Sequence, residues 1–184
     1  MLVIDATIRL MSEHQYSPTP DVTRLESYDN REIFGDTADP SRVAEWGLVW
    51  RLKDQHFGIR VDGRLVAHAG LVVLPLSVGG SRMDVVGLGG VGVVEERRGH
   101  GLARRVVDGT MEHARRLGPE FAILFCRPDV AGLYRRLGWS EVAGQVEVEQ
   151  PDGPAVMPLR TMWFALRDDA RWPEGPVCVH SRPM

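Results

Sequence analysis

The sequence predicts a single α+β domain with a mixed sheet, and three observations carry that expectation. Asp62-Gly63 separates two apolar runs by two residues, the signal of a tight β-hairpin. Val91-Gly92-Val93-Val94 runs through a basic glycine turn, Arg98-Gly99-His100-Gly101, straight into an amphipathic segment with Leu102, Val106, Thr110, Ala114 and Leu117 near one face. Phe121 to Cys126 is apolar throughout and bounded by Pro119 and Arg127-Pro128, as a buried strand is. An antiparallel meander followed by a β-α-β crossover accounts for this mixture of spacings.

In chain order, Leu2–Leu10 alternates loosely and suits a first strand, and Ser17-Pro18-Thr19-Pro20-Asp21 reads as a turn and helix start. The spacing of Val22, Leu25, Tyr28 and Ile33 predicts a helix over Val22–Phe34, broken by 35–40, with a second short helix over Ser41–Trp50. Strands follow at 56–61 and 64–73, and Gly79-Gly80-Ser81 turns into a long strand over Met83–Val94. After the helix that begins at Leu102 come the strand Phe121–Cys126 and a short helix near 129–137, with Asp129 as N-cap and Gly138 as stop. Strands near Trp139–Glu149 and Leu159–Leu166 close the order, separated by a proline- and glycine-rich loop over Gln150–Pro158.

A chain of 184 residues can bury a sizeable core and is expected to form one domain over 1–184. The net charge of −3 argues against a nucleic-acid binder held by a basic surface. Lys53 is the sole lysine, which reads as a compositional bias toward arginine rather than a phosphate-binding device. Cys126 and Cys178 are too few for a disulfide framework and are expected as free thiols in a reducing compartment. The start of the chain carries Asp5 and Arg9 in place of a long apolar core, and no run approaches membrane-spanning length, so a cytoplasmic protein is expected. Gly87-Leu88-Gly89-Gly90-Val91-Gly92 matches a dinucleotide fingerprint by letter, but its glycines lie within a strand pattern and no helix opens at Gly92. A bulged strand with close backbone approach is the expectation there.

Backbone amides at the Arg98–Ala103 turn are left unpaired at a helix start, where the helix dipole adds positive charge and the glycines allow close approach. Arg98 adds a full charge, and the whole suits a pyrophosphate. Arg98-x-x-Gly101-x-Ala103 resembles the Q/R-x-x-G-x-G/A signature of the GCN5-related N-acetyltransferases. Ala131-Gly132-Leu133-Tyr134, continuing to Gly138-Trp139, resembles that family's second signature. Two matches in order, over roughly residues 1–167, imply the GNAT acyl-CoA N-acyltransferase fold, a central, mostly antiparallel twisted sheet with flanking helices.

The resemblance further implies acetyl-CoA as cosubstrate, bound by Arg98, Gly99, His100, Gly101, Leu102 and Ala103 at its pyrophosphate and by the backbone of Val91, Gly92 and Val93 along its pantetheine arm. It implies Tyr134 as general acid to the departing thiolate; the alternative for Tyr134 is a core tyrosine packed under Trp139. A backbone amide of the 91–93 strand would polarise the carbonyl. The base is open: His68 lies in a strand and reads as structural or as facing the site. His14, His56, His113 and His180 show no ligand spacing, so no metal is expected. Phe125 and Cys126 end the strand beside the expected thioester, Cys126 reading as a lining residue or an inert buried thiol.

Within the superfamily the chain resembles the aminoglycoside 2'-N-acetyltransferases through Phe34-Gly35-Asp36, Leu65-Val66-Ala67-His68-Ala69 and the tail Trp172-Pro173-Glu174-Gly175-Pro176-Val177. That resemblance implies Asp36 as a holder of acceptor amines, residues 168–184 as a tail folding toward the acceptor, and a possible homodimer. Gly89, followed by Gly90, stands where those enzymes carry an acid, and Pro176 replaces a tail acid, leaving Asp36 and Asp152. A less acidic pocket points to a small amine of low charge, such as a kasugamycin-like amino sugar, with other small amines, peptide or protein amines, and a non-catalytic acyl-CoA sensor as the alternatives.

Overall fold

The computed structural model describes residues 21–36 and 43–184; the expected strand over Leu2–Leu10 and the turn from Ser17 lie outside them. Strands are β1 (Val22–Leu25), β2 (Gln55–Val61), β3 (Arg64–Val78), β4 (Ser81–Val93), β5 (Phe121–Cys126), β6 (Ser140–Glu141), β7 (Val146–Val148), β8 (Ala155–Val156), β9 (Arg160–Ala165) and β10 (Val177–Val179). Helices are α1 (Arg31–Phe34), α2 (Leu102–Ala114) and α3 (Ala131–Arg136). The sheet order is β6-β9-β5-β4-β3-β10-β7-β8, with β2 joining the outer edge of β3 and carrying β1.

The predicted hairpin at Asp62-Gly63 and the predicted turn at Gly79-Gly80 both form. Asp62 and Gly63 take φ of 52° and 78°, and Gly79 and Gly80 take 57° and 86°, the left-handed pairs that match the twist of adjoining strands. β3 and β4 pair from Val78↔Ser81 to Ala67↔Val93. β3 has a buried stripe on each face. Val72, Leu74, Leu76 and Val78 pack with Val177, Val179 and Met184. Ala67, Ala69 and Leu71 pack with Val106, Val107 and Met111 of α2. β4-α2-β5 is a parallel crossover, pairing Val86–Leu88 with Ala122–Leu124.

Three expectations need correction. Val22–Phe34 is not one helix: its first residues form β1, antiparallel to β2 from Val22↔Ile59 to Leu25↔His56, and only Arg31–Phe34 is helical. The spacing that suggested a helix was weakly apolar, and pairing with a free strand edge overrides it. Of the helix expected over Ser41–Trp50, residues 41 and 42 lie outside the described residues, and the described part forms a 3₁₀ turn over Val43–Trp46. α3 begins at Ala131 with Val130 as N-cap and no side-chain cap, because Asp129 is turned to Arg127 at 2.9 Å. The loop over Gln150–Pro158 holds the two-residue β8, paired to β7.

Gly109, within α2, marks where β1 crosses the helix. A Cβ there would lie 2.7 Å from both Cβ and Cγ2 of Val22. Glycine to alanine inside a helix ordinarily gains about 1 kcal/mol from propensity. Here the contact is to a stiff β-branched side chain close to its own backbone, and overpacking costs about 1–3 kcal/mol. Gly109→Ala is therefore expected to lower the melting temperature; a rise would show that β1 is not held against α2.

Candidate active site

The parallel pairing of β4 with β5 ends at Leu88↔Leu124, after which β4 stays with β3 to Val93 and β5 stays with β9 to Cys126. The two strands thus part beyond Leu88, leaving a wedge with Gly89–Val93 on one side and Phe125 and Cys126 on the other. At its apex the β3–β4 register slips between His68↔Gly92 and Gly70↔Gly89, so Ala69 faces two residues, Gly90 and Val91. Gly90 takes φ 62°, a conformation that glycine adopts without strain.

A side chain fixes this bulge. His68 is 1% exposed, and its Nδ1 donates to the Gly90 carbonyl at 2.7 Å. That leaves His68 Nε2 as acceptor from His56 Nδ1 at 3.0 Å. Tyr28 stacks on the His68 ring with centroids 3.6 Å apart. Burial above all, with the positive ends of His56 and Lys53 adding to it, pushes the His68 pKa down to about 4. Both ring nitrogens are engaged, so His68 holds the backbone rather than facing an acceptor. In a trans peptide the N–H points away from the C=O, so pinning the Gly90 carbonyl turns the Val91 amide to the opposite side.

Past Val93 the chain makes a 3₁₀ turn at Glu95–Arg97 and enters α2 through Gly99 (φ 80°) and Gly101 (φ 76°). A Cβ at either glycine would meet nothing within 4 Å. The surface above the first turn of α2 is therefore open, as an anion approaching the Leu102 and Ala103 amides requires. The loop is braced by its own side chains: Arg98 Nε donates to the Val93 carbonyl at 3.3 Å, and His100 Nδ1 donates to the Arg98 carbonyl at 2.9 Å.

Tyr134 of α3 is buried in the same cluster as Val106 and Val107, a cluster against which Val91 and Val93 also pack, and meets Trp139 edge-to-face at 6.1 Å between centroids. Burial, reinforced by Cys126, raises its phenol pKa above the ordinary value, so it stays protonated at neutral pH. Cys126 lies buried with its thiol pushed up to about 11 by burial, which makes it inert.

On the other face of β3 and β4, α1 covers Gly92, where a Cβ would collide with the Phe34 ring. Asp36 follows α1 on that face and is exposed. The terminal segment reaches the same face: β10 pairs with β3, Arg51 N–H donates to the Pro183 carbonyl at 2.7 Å, and the Met184 carbonyl would be 3.3 Å from a Cβ at Gly89. The structure thus gathers Gly89–Val93, Phe125, Cys126 and Tyr134 about the wedge and continues it to the Arg98–Ala103 turn. It does not bring in Asp152, which is exposed on the β7–β8 turn at the far end of the sheet. Sequence reasoning missed Lys53 and Tyr28 as parts of this site; the presence of a sole lysine was the available signal for the first. Among the described residues no group of three or more His, Cys, Asp or Glu side chains could hold a metal, and no helix is long and apolar enough to cross a membrane.

Residues 29–142 match the family model for the acetyltransferase (GNAT) domain, well over half of the chain. The protein belongs to the GNAT acetyltransferase family. Its fold is that of the GNAT family N-acetyltransferase YhbS from Escherichia coli in complex with CoA, at 21% identity and TM-score 0.59 over 91% of this chain and 94% of that one. It is also similar to a GNAT family acetyltransferase from Brucella melitensis in complex with acetyl-CoA, at 19% identity and TM-score 0.51 over 88% and 97%. The ribosomal-protein-S18-alanine N-acetyltransferase from Escherichia coli shares the fold at 17% identity and TM-score 0.55 over 84% and 100%. No curated protein matches the sequence.

Proposed function

We propose that this protein transfers the acetyl group of acetyl-CoA directly to the amine of a small molecule, with Tyr134 as general acid. The observation that carries the reading is the wedge between β4 and β5, with a bulged backbone at Gly90 on one side and the protonated phenol of Tyr134 on the α2 face. In this reading the amides at Arg98–Ala103 take the pyrophosphate, and the backbone of Val91, Gly92 and Val93 takes the pantetheine arm. A bulge amide polarises the thioester carbonyl. The neutral acceptor amine attacks the carbonyl carbon, and the phenol protonates the departing thiolate.

The acceptor arrives on the face bearing α1 and the terminal segment, over Gly89 and Gly90, with Asp36, Phe125 and Cys126 at its margins; residues 168–184 belong to this single domain as its acceptor-side cover. An amino sugar of low charge, the narrower reading from the aminoglycoside-like segments, is supported by Asp36 on that face. A polycationic acceptor is disfavoured by the loss of acids, Gly89 and Pro176 standing where the aminoglycoside enzymes carry them. A peptide amine is the second reading, supported by the likeness to the S18-alanine enzyme.

Thiol release from acetyl-CoA, measured against weakly charged amino sugars, gentamicin-like aminoglycosides, simple amines and N-terminal alanine peptides, tests this. Turnover of amino sugars is expected; turnover of peptides alone would favour the second reading, and binding without any turnover would leave an acyl-CoA sensor. Gly101→Ala places an L-residue at φ 76°, costing about 1–2 kcal/mol, and sets a methyl above the anion site. It is expected to weaken acetyl-CoA binding by about tenfold in calorimetry, and unchanged affinity would remove this turn from the cosubstrate site.

A further inference from the structure

Lys53 is the only lysine in a chain with 22 lysine and arginine residues. Its stem crosses the face of the sheet opposite α2. Cγ and Cβ would lie 2.7 and 2.9 Å from a Cβ at Gly70, and Cε 2.7 Å from a Cβ at Gly89. Gly70 and Gly89 are register partners on β3 and β4. Two facing residues without side chains make a trough, and the lysine stem lies along it. The trough leads to the bulge, where Cε would be 3.7 Å from a Cβ at Gly90. The end of the stem is thus carried to the bulge at the apex of the wedge, on the face opposite α2.

Among the described residues Lys53 makes no ion pair: the neighbouring Asp54 is turned to Arg51 at 3.7 Å. Burial lowers its pKa. A guanidinium at this place would stay charged and could pair with an anion, whereas an amine can become neutral. The one position at which this chain uses lysine is therefore a largely buried place beside the bulge, where an amine can shed its charge and a guanidinium cannot.

We propose that Lys53 is an internal acceptor, acetylated at Nζ by acetyl-CoA bound in the wedge. The inference rests on the acetyltransferase reading above. The neutral Nζ attacks the thioester carbonyl carbon, forming a C–N bond as the C–S bond breaks. The thiolate takes a proton from Tyr134, and the proton lost by the attacking nitrogen passes through water to restore the phenol. The products are free CoA and an amide that does not turn over. The acetyl group then occupies the acceptor side at Gly89 and Gly90, so the modified protein no longer accepts a free amine.

The test is intact-mass analysis and peptide mapping of the whole protein after incubation with acetyl-CoA and no acceptor, beside Lys53→Arg and Tyr134→Phe. Calorimetry with acetyl-CoA and thiol release with the amine panel run in parallel. One acetyl group on the Lys53 peptide is expected, absent in Lys53→Arg and formed about tenfold or more slowly in Tyr134→Phe. Lys53→Gln, which resembles the acetylated side chain, is expected to bind acetyl-CoA but turn over no amine, and gives a second reading if Lys53→Arg misfolds. An unmodified Lys53 in a protein that binds acetyl-CoA and acetylates free amines overturns the proposal and leaves the acetyltransferase reading intact. Equal modification of the wild type and Tyr134→Phe, or by an acetyl thioester lacking the nucleotide, overturns it as background chemistry. Absence of acetyl-CoA binding overturns both.

Discussion

Tyr134→Phe is expected to lower kcat by about 10²–10⁴-fold while acetyl-CoA affinity stays within about twofold. The side chain is 9% exposed, packed edge-to-face on Trp139. Phenylalanine keeps that packing and removes only the hydroxyl, so a change in melting temperature is not the expected signature. Burial, with Cys126 adding to it, raises the phenol pKa, so the acid form persists through neutral and mildly alkaline pH. The alkaline limb of the rate profile should therefore not belong to Tyr134, and a rise in rate toward pH 8–9 should reflect the acceptor amine losing its proton. Thiol release at saturating acetyl-CoA, followed across pH for both proteins, reads all of this at once. Equal kcat in the variant would return Tyr134 to the core residue that its packing also allows.

The parts of this site legible from sequence are those made of consecutive residues. The glycines of the Arg98–Ala103 turn, the apolar run of β5 and the α3 signature each carry their geometry locally, because turn conformation and strand burial depend on near neighbours. The parts that were not legible come from pairing across the chain. Val22–Leu25 has spacing compatible with a helix turn and becomes a strand because β2 offers it an edge. Val177–Val179 is a three-residue run without hairpin signal, and it enters the sheet between β3 and β7, antiparallel to one and parallel to the other. Asp129 has the side chain of an N-cap, but Arg127 competes for it. Lys53 looks like a compositional residue until Gly70 and Gly89 are seen to face each other beneath it. His68 is the sharpest case. Strand alternation places it on a face but says nothing of the bulge it pins.

That histidine is expected to make the fold acid-sensitive. In the unfolded chain it titrates near pH 6.5, whereas in the fold its pKa is lowered to about 4. A depressed pKa means that the unfolded state binds more protons between these values. The stabilising contribution is therefore whole above about pH 6.5 and is lost as pH falls toward 4, by about 3 kcal/mol in total. The physical cause is visible in its partners. Nδ1 already donates to the Gly90 carbonyl, and Nε2 must stay an acceptor for His56 Nδ1. A second proton on the ring would set two donors against each other next to Lys53, under the stacked Tyr28 ring. His56 and His113 also have lowered pKa values, mainly from burial, and act in the same direction, so the wild type alone does not isolate the effect.

The measurement is urea unfolding of wild type and His68→Gln at pH 7.5 and at pH 4.5. Glutamine can still donate to Gly90 but has no titrating proton. The variant is expected to start about 1–3 kcal/mol less stable, from lost stacking and a poorer hydrogen bond. Its deficit should shrink by about 2 kcal/mol or more at the lower pH. A deficit that stays constant would mean that His68 does not titrate in this window. Because the Gly90 carbonyl fixes the direction of the Val91 amide, the same variant should lose kcat at neutral pH more than acetyl-CoA affinity. That pairing of a fold readout with a rate readout separates a histidine that merely fills the core from one that holds the bulge in its working shape.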